Sequence, residues 1–280
     1  MLVVVVFVFI LGIRAFTARP MDPTPYYDAA QPMVIAHRGG AGLRPENTAL
    51  AVEHAVAIGV DVVELDVRAS ADGVLVLMHD ASVDRTTNGS GEVAELSYQE
   101  LAGLDASARF EGDPAFLGVA ESVPRLDAVL ARWPDTRFNL EIKPESEAVA
   151  VLLCETLQAA GAQDRVLVAT AHRSVALAFR AACPSVAVSA YTLEAAWFLT
   201  YHWLRLDGIH HVTAHALQLP EVAYGIDLWD ARLAESARQH NVLLDIWTVN
   251  DPVQMARFLE LGATGVITDR PDVALSLLGR

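Results

Sequence analysis

The stretch DVVELDVRASADGVLVLMHD (Asp61–Asp80) decides the fold. It holds two extended runs, Asp61–Val67 and Val74–His79, with little more than Ala69–Gly73 between them. A parallel crossover needs a dozen or more residues, whereas an antiparallel hairpin needs very few. The second run is therefore predicted to be a hairpin partner of the first and adds no parallel strand. On either side, short β-branched runs alternate with longer helical patterns: Val34–His37, Arg137–Ile142, Val166–Thr170, Val186–Ala190, His215–Leu219, Leu243–Thr248 and Gly265–Thr268. With Asp61–Val67 these make eight strands over about 250 residues, which predicts an α/β TIM (β/α)8 barrel with its functional groups at the carboxyl ends of the strands. A doubly wound open sheet would want a Gly-rich dinucleotide fingerprint or a P-loop, and neither pattern is present. About residues 81–123 the alternation breaks into turn residues around a short helical stretch, Tyr98–Leu104, predicting a small inserted subdomain.

The chain has 280 residues, 53% of them hydrophobic, with 35 acidic against 20 basic residues and a net charge of −15. That apolar content excludes disorder, and the acidic balance argues against a nucleic-acid partner. Lys143 is the only lysine. Any anion site must concentrate its positive charge locally. Cys154 and Cys183 show no CxxC spacing and are expected to be two buried thiols. Leu2–Ile13 (LVVVVFVFILGI) is apolar, with no basic residue before it and no clear cleavage site after it. Residues 1–18 are accordingly expected to be a single-pass membrane anchor rather than a signal peptide. Arg14 and Arg19 behind it favour a cytoplasmic main domain by the positive-inside bias. Residues 19–32, with four prolines, read as a stiff tether, leaving 33–280 for the barrel.

Three strand ends carry groups that a buried strand does not tolerate without a reason: His37-Arg38-Gly39-Gly40, Glu64-Leu65-Asp66 and Glu141-Ile142-Lys143. Residues i and i+2 of a strand share a face, so Glu64 projects with Asp66 and Glu141 with Lys143, while Leu65 and Ile142 face the helices. Three converging carboxylates need a compensating cation. An all-oxygen donor set suits one divalent cation, Mg2+ or Ca2+, rather than zinc. His37 closes the first strand and His79 the hairpin partner of the second, so both reach the same mouth and suit general acid and base work. Arg38 and Lys143 supply the local positive charge, one as a planar fork and one as a point charge. Asn47, just before Thr48, is expected to cap the first barrel helix.

The segments IAHRGG (Ile35–Gly40), RPENT (Arg44–Thr48), VELDVRASADG (Val63–Gly73), MHD (Met78–Asp80), DRTTNG (Asp84–Gly89), LEIKP (Leu140–Pro144), WTVND (Trp247–Asp251) and GVITDRP (Gly265–Pro271) resemble the glycerophosphodiester phosphodiesterase family in order and spacing. The resemblance implies a TIM barrel with an inserted subdomain, an acid/base pair at His37 and His79, and metal ligands at Glu64, Asp66 and Glu141. It also implies phosphate or substrate contacts from Arg38, Lys143 and Trp247. The implied reaction has a neighbouring substrate hydroxyl attack phosphorus and the alcohol leave, after which water opens the cyclic phosphate. Asp245 departs from the family pattern, and is expected either to pair with a substrate hydroxyl or an arginine beside Trp247 or to be a satisfied buried acid.

Leu193–Leu206 reads as a barrel helix that is apolar nearly all round, with Trp197, Tyr201 and Leu204 at core spacing. Two readings of its surplus apolar residues stay open: proximity to a membrane or an acyl-chain entrance, and plain burial or a dimer contact. Three functions compete: a glycerophosphodiesterase releasing glycerol 3-phosphate and an alcohol, a membrane-associated lysophospholipase D releasing lysophosphatidic acid, and an inactive membrane-bound lipid-binding module.

Overall fold

The computed structural model describes residues 19–27, 32–112 and 119–280. Eight parallel strands form the barrel: β1 (Met33–Ala36), β2 (Val62–Ala69), β4 (Arg137–Ile142), β5 (Val166–Ala169), β6 (Ala187–Val188), β7 (Ala216–Leu219), β10 (Leu243–Ile246) and β11 (Gly265–Thr268). Their hydrogen-bonded order is β6-β5-β4-β2-β1-β11-β10-β7. One parallel bridge, Ser189 to Ala216, joins β6 to β7 and nearly closes the ring. The hairpin partner β3 (Leu75–Leu77) pairs antiparallel with β2, Val67 opposite Leu77, as the five-residue separation requires.

Helices α1 (Ala49–Ala57), α3 (Leu126–Arg132), α4 (Glu147–Ala159), α5 (Arg173–Ala182), α6 (Thr192–Trp203), α7 (Ala231–Gln239), α8 (Pro252–Glu260) and α9 (Pro271–Leu277) surround the strands. Their start signals are in the sequence: Ser146 and Asp230 cap α4 and α7, and Asp251 caps α8 just before Pro252. The α1 cap is Thr48, whose hydroxyl accepts from Ala51 N; Asn47 is not the cap. Leu65, Leu140 and Ile142 face outward into the helix layer as the strand period predicts, fully buried against α3 and α4 residues.

The insertion between β3 and α3 carries α2 (Tyr98–Ala102) and a core of its own, in which Val83, Val93, Leu101 and Val123 pack on Val76 and Met78. The expected anchor, residues 1–18, lies outside the described residues. Among the described residues no helix is long and apolar enough to cross a membrane. Arg19–Tyr27 packs on the barrel rather than leading away from it. Met21 N donates to His240 O at 2.8 Å, and Tyr26 is buried among Met33, Ile35 and Val62 at the amino-terminal end of the barrel interior.

Cys154 and Cys183 are not free thiols. They form a buried disulfide between α4 and the end of α5, with Cα atoms 5.7 Å apart. Helix packing brings the two together across 29 residues of chain, a juxtaposition that no local spacing rule announces.

Candidate active site

The site begins where β1 runs into the turn His37–Gly39. Arg38 has a φ of 53° and Gly39 a φ of 82°. A Cβ on Gly39 would lie 2.7 Å from that of Ala51, so only glycine lets α1 pack this closely behind the turn. The turn aims Arg38 N at Glu64 Oε2, 2.7 Å away. One strand over, β2 and β4 run in a register that sets Asp66 beside Glu141 and Glu64 beside Asn139. That register, together with the two-residue period, gathers Glu64, Asp66 and Glu141 so that one oxygen of each lies within 4.8 Å of the others.

Cations face this cluster from both sides. Lys143 Nζ is 2.8 Å from Glu141 Oε2 and 3.1 Å from Asp66 Oδ1. The second contact lacks hydrogen-bond alignment, so Asp66 Oδ1 is a buried acceptor without a donor. Arg38 Nε is 3.4 Å from Asp66 Oδ2, and Asn47 Nδ2 donates to that same oxygen at 2.8 Å. Burial pushes Glu64 up to about 8, and the neighbouring Asp66 carboxylate adds to the effect. Asp66 goes the other way: burial would raise it, but Lys143, Asn47 and Arg38 together hold it below the ordinary carboxylate range. Glu64 thus behaves as an acid short of a counter-charge, and Asp66 keeps a vacant lone pair. Both features fit a hard divalent cation held by Glu64, Asp66 and Glu141.

Each imidazole is fixed by a carboxylate. His37 Nδ1 lies 2.6 Å from Asp269 Oδ1, and His79 Nδ1 lies 2.7 Å from Asp80 Oδ1. In both pairs Nε2 has no hydrogen-bond partner among the described residues and is available for proton transfer. Burial acts to lower the His37 pKa, but the Asp269 hydrogen bond and the Glu64 charge outweigh it and the net shift is upward. A further chain of contacts links the two halves of the site. Arg85, from the insertion, donates to Asp80 Oδ2 at 2.5 Å and to both oxygens of Glu46 at 2.7 and 2.8 Å. Glu46 in turn accepts from Arg38 NH1 at 3.0 Å. Although burial raises it, Asp80 is held down to about 2 by Arg85 and His79.

A cavity of about 840 Å3 opens over these groups. His37, Arg38, Glu64, His79, Glu141, Lys143 and Trp247 all line it, while Asp66 is fully buried behind the lining. The structure therefore brings together the eight residues singled out in the sequence. Sequence reasoning missed Asp269, Asp80, Glu46, Arg85 and the Asn47 contact to Asp66. Asp269 had a usable signal: in a closed barrel the first and last strands are neighbours, and the pairing of Ala36 with Thr268 sets His37 beside Asp269. Asp245 is buried, is not part of the cavity lining and meets no arginine among the described residues. Its oxygens accept from Thr264 Oγ1 at 3.0 Å and Gln218 Nε2 at 3.4 Å, and burial pushes it up to about 6.

The core stripe expected on α6 is reversed. Trp197 is 54% exposed and Leu204 is exposed, whereas Phe198, Leu199 and His202 are buried. With apolar residues on both sides the periodicity was ambiguous, and the fit to β7 and α7 selected the other face.

Residues 37–273 match the Glycerophosphoryl diester phosphodiesterase family. A glycerophosphodiester phosphodiesterase of Caldanaerobacter subterraneus is 30% identical over 88% of this chain and 97% of its own. A lysophospholipase D of Mus musculus is 28% identical over 85% of this chain and 83% of its own. Among solved structures, an Oleispira antarctica phosphodiesterase in complex with the product sn-glycerol-3-phosphate superposes with a TM-score of 0.72 at 24% identity, covering 92% of this chain and all of that one. With a buried acidic cluster flanked by two carboxylate-held histidines at the barrel mouth, and with a family match over residues 37–273, the chain belongs to the glycerophosphoryl diester phosphodiesterase family.

Proposed function

We propose that this protein hydrolyses glycerophosphodiesters to glycerol 3-phosphate and an alcohol, using one Mg2+ or Ca2+ held by Glu64, Asp66 and Glu141. The observation that carries the proposal is the convergence of those three carboxylates with His37, His79, Arg38 and Lys143 on one cavity. When bound, the cation supplies Lewis-acid stabilisation of charge on the phosphoryl oxygens. Arg38 and Lys143 orient the anionic phosphodiester and offset the charge that grows on it. One imidazole takes the proton of the substrate's neighbouring hydroxyl as its oxygen bonds to phosphorus. The other protonates the departing alkoxide as the P–O bond breaks, giving a cyclic phosphate. In the second half, water attacks phosphorus, and the same two histidines exchange roles to open the ring. Asp269 and Asp80 fix the tautomers, so that Nε2 of each ring meets the substrate. Trp247 stands at the mouth, where its indole packs against the glycerol or alcohol portion.

The test is hydrolysis of glycerophosphocholine with and without chelator. EDTA abolishes turnover under this proposal, and His37→Ala lowers kcat by about 10^2 to 10^4. Turnover that survives both treatments refutes it.

One observation favours a second reading, lysophospholipase D: beside the charged groups and the polar Thr192, Thr200 and Gln218, the cavity is lined by the apolar Leu199, Trp203, Ala223 and Ile226. The Cys154–Cys183 disulfide supports an oxidising compartment for the catalytic domain, against the cytoplasmic side expected from Arg14 and Arg19.

A further inference from the structure

Helix α6 takes part in two cavities. Its residues Leu199, Thr200 and Trp203 line the large one over the acidic cluster, which the hairpin of β8 (Val222–Ala223) and β9 (Ile226–Asp227) also lines. Trp197, Phe198 and Tyr201 of the same helix line a second cavity, of about 440 Å3, that the proposed hydrolysis does not use. Its volume lies within the range of small-molecule sites, about 300 to 1,000 Å3. Ala190, Ala214 and Leu217 line it from beside the seam where the Ser189–Ala216 bridge joins β6 to β7. Aromatic rings form much of the wall. The Tyr201 ring lies 4.5 Å from that of His210, and Phe198 meets His210 edge-on at 5.7 Å. Trp197 is half-exposed and has no ring partner among the described residues. The polar groups of the lining are Glu194, Thr213, His210 and His211; no lysine or arginine is among them.

Glu194 narrows the ligand. Arg180 donates to both of its oxygens, at 2.6 and 2.7 Å, the Thr213 hydroxyl donates to Oε1, and Tyr191 N donates to Oε2 at 3.3 Å. These donors fill the lone-pair sites of the carboxylate. The guanidinium fork holds it rigidly, and because Glu194 lines the cavity while Arg180 does not, the cavity meets the negative end of the pair. An anion finds no cation here. A primary ammonium finds negative charge but no vacant acceptor on Glu194. A quaternary ammonium needs no acceptor: it has no N–H, and it is held by negative potential and by the electron-rich faces of aromatic rings. We infer that this cavity binds a quaternary ammonium ion, the chemical class of choline, with Trp197 and Tyr201 against its methyl groups and Glu194 as the counter-charge. The net charge of −15 enriches such cations around the protein. The inference goes beyond the phosphodiesterase reading and does not depend on it, since none of the groups placed in that chemistry lines this cavity.

The experiment is calorimetric titration of the full chain in saturating Mg2+, at about pH 8, where an ordinary imidazole is neutral. The probes are tetramethylammonium, choline, methylammonium and 3,3-dimethylbutan-1-ol, the uncharged isostere of choline. We expect saturable binding of tetramethylammonium and choline, with methylammonium and the isostere weaker by roughly tenfold or more. Trp197→Ala should weaken tetramethylammonium binding by roughly twofold to thirtyfold, the range of one cation–π contact. Its urea midpoint should not move, because Trp197 is half-exposed. Trp203→Ala, which alters the large cavity instead, should leave the affinity unchanged. Absence of saturable tetramethylammonium binding overturns the site, as does an affinity that Trp197→Ala leaves intact or that Trp203→Ala lowers as much. Equal affinity for the uncharged isostere or for methylammonium overturns the ligand class. Turnover plays no part in the readout, so failure of the phosphodiesterase reading and failure of this inference are separate results.

Discussion

Replacing Asp245 with Asn should stabilise this protein at neutral pH and leave it unchanged in acid. The carboxyl lies inside the barrel on β10, with no cation in ion-pair range among the described residues. Thr264 and Gln218 give it two hydrogen bonds, and Tyr26 packs nearby at the amino-terminal end. Gly265 opposite it is the reason it fits, since a Cβ there would come within 2.5 Å of Asp245 Oδ1. Burial raises its pKa from an ordinary 3.8 to about 6. As pH rises through this window the unfolded chain loses its proton first, so the folded state binds more protons and stability falls. The loss begins near pH 4 and is complete above about pH 6, where it amounts to about 3 kcal/mol. Asn keeps the acceptor for Thr264 and cannot ionise. The expected gain for Asp245→Asn is therefore up to about 3 kcal/mol at pH 7.5, or roughly 6 to 12 °C in Tm, shrinking to nothing at pH 4. Urea unfolding of both proteins at the two pH values gives the comparison, and taking the difference cancels every other titrating group. A stability difference that is the same at pH 4 and pH 7.5 refutes the reasoning.

Arg85→Gln should lower kcat by at least tenfold with little change in KM or urea midpoint, because Arg85 holds Asp80 behind His79 and Glu46 behind Arg38 from a half-exposed position; Arg85→Lys, unable to span both carboxylates, should restore only part of it. Glu64→Gln should abolish Mg2+ or Ca2+ binding measured by calorimetry while leaving the fold intact by circular dichroism, and unchanged affinity would remove Glu64 from the ligand set. Reducing the Cys154–Cys183 disulfide, or replacing both residues with Ser, should cost about 3 to 4 kcal/mol in urea unfolding, as closure of a loop of about 30 residues implies. Asp269→Asn should lower kcat more than it raises KM, since it releases the His37 tautomer without touching the phosphate-binding groups.

The barrel was legible because its evidence is local and repeated. Two of the eight strands, Arg137–Ile142 and Gly265–Thr268, match the sequence pattern at both bounds. The others differ at their ends because backbone pairing, not apolarity, closes a strand; His37, for instance, belongs to the turn that presents it. The acidic cluster was legible for a related reason: a period of two fixes which side chains share a face before any register is known. What was not legible depends on distance in the fold. The disulfide needed the packing of α4 on α5, and the Arg85–Glu46 bridge needed the insertion to fold back over the mouth. The face of α6 needed the shapes of its neighbours, because Trp197 and Phe198 are equally apolar and only one has a partner surface.

The charge balance of the inner site ties the acidic composition to the reaction. Glu64, Asp66 and Glu141 contribute three negative charges when ionised, and Arg38 and Lys143 return two positive ones. Left alone, with Glu64 kept protonated by burial, that set carries no net charge and offers a phosphodiester no attraction. A divalent cation that displaced the Glu64 proton would leave one positive charge, which would match the single negative charge of a phosphodiester. Under the proposed function, a site built this way would bind its anion through its cation. Replacing Lys143 with Met, which removes one positive charge and no metal ligand, should therefore weaken substrate binding more than metal binding, a difference that calorimetry with the metal alone and KM measured at saturating metal can separate. Equal losses in both would mean that Lys143 serves the carboxylates rather than the phosphate.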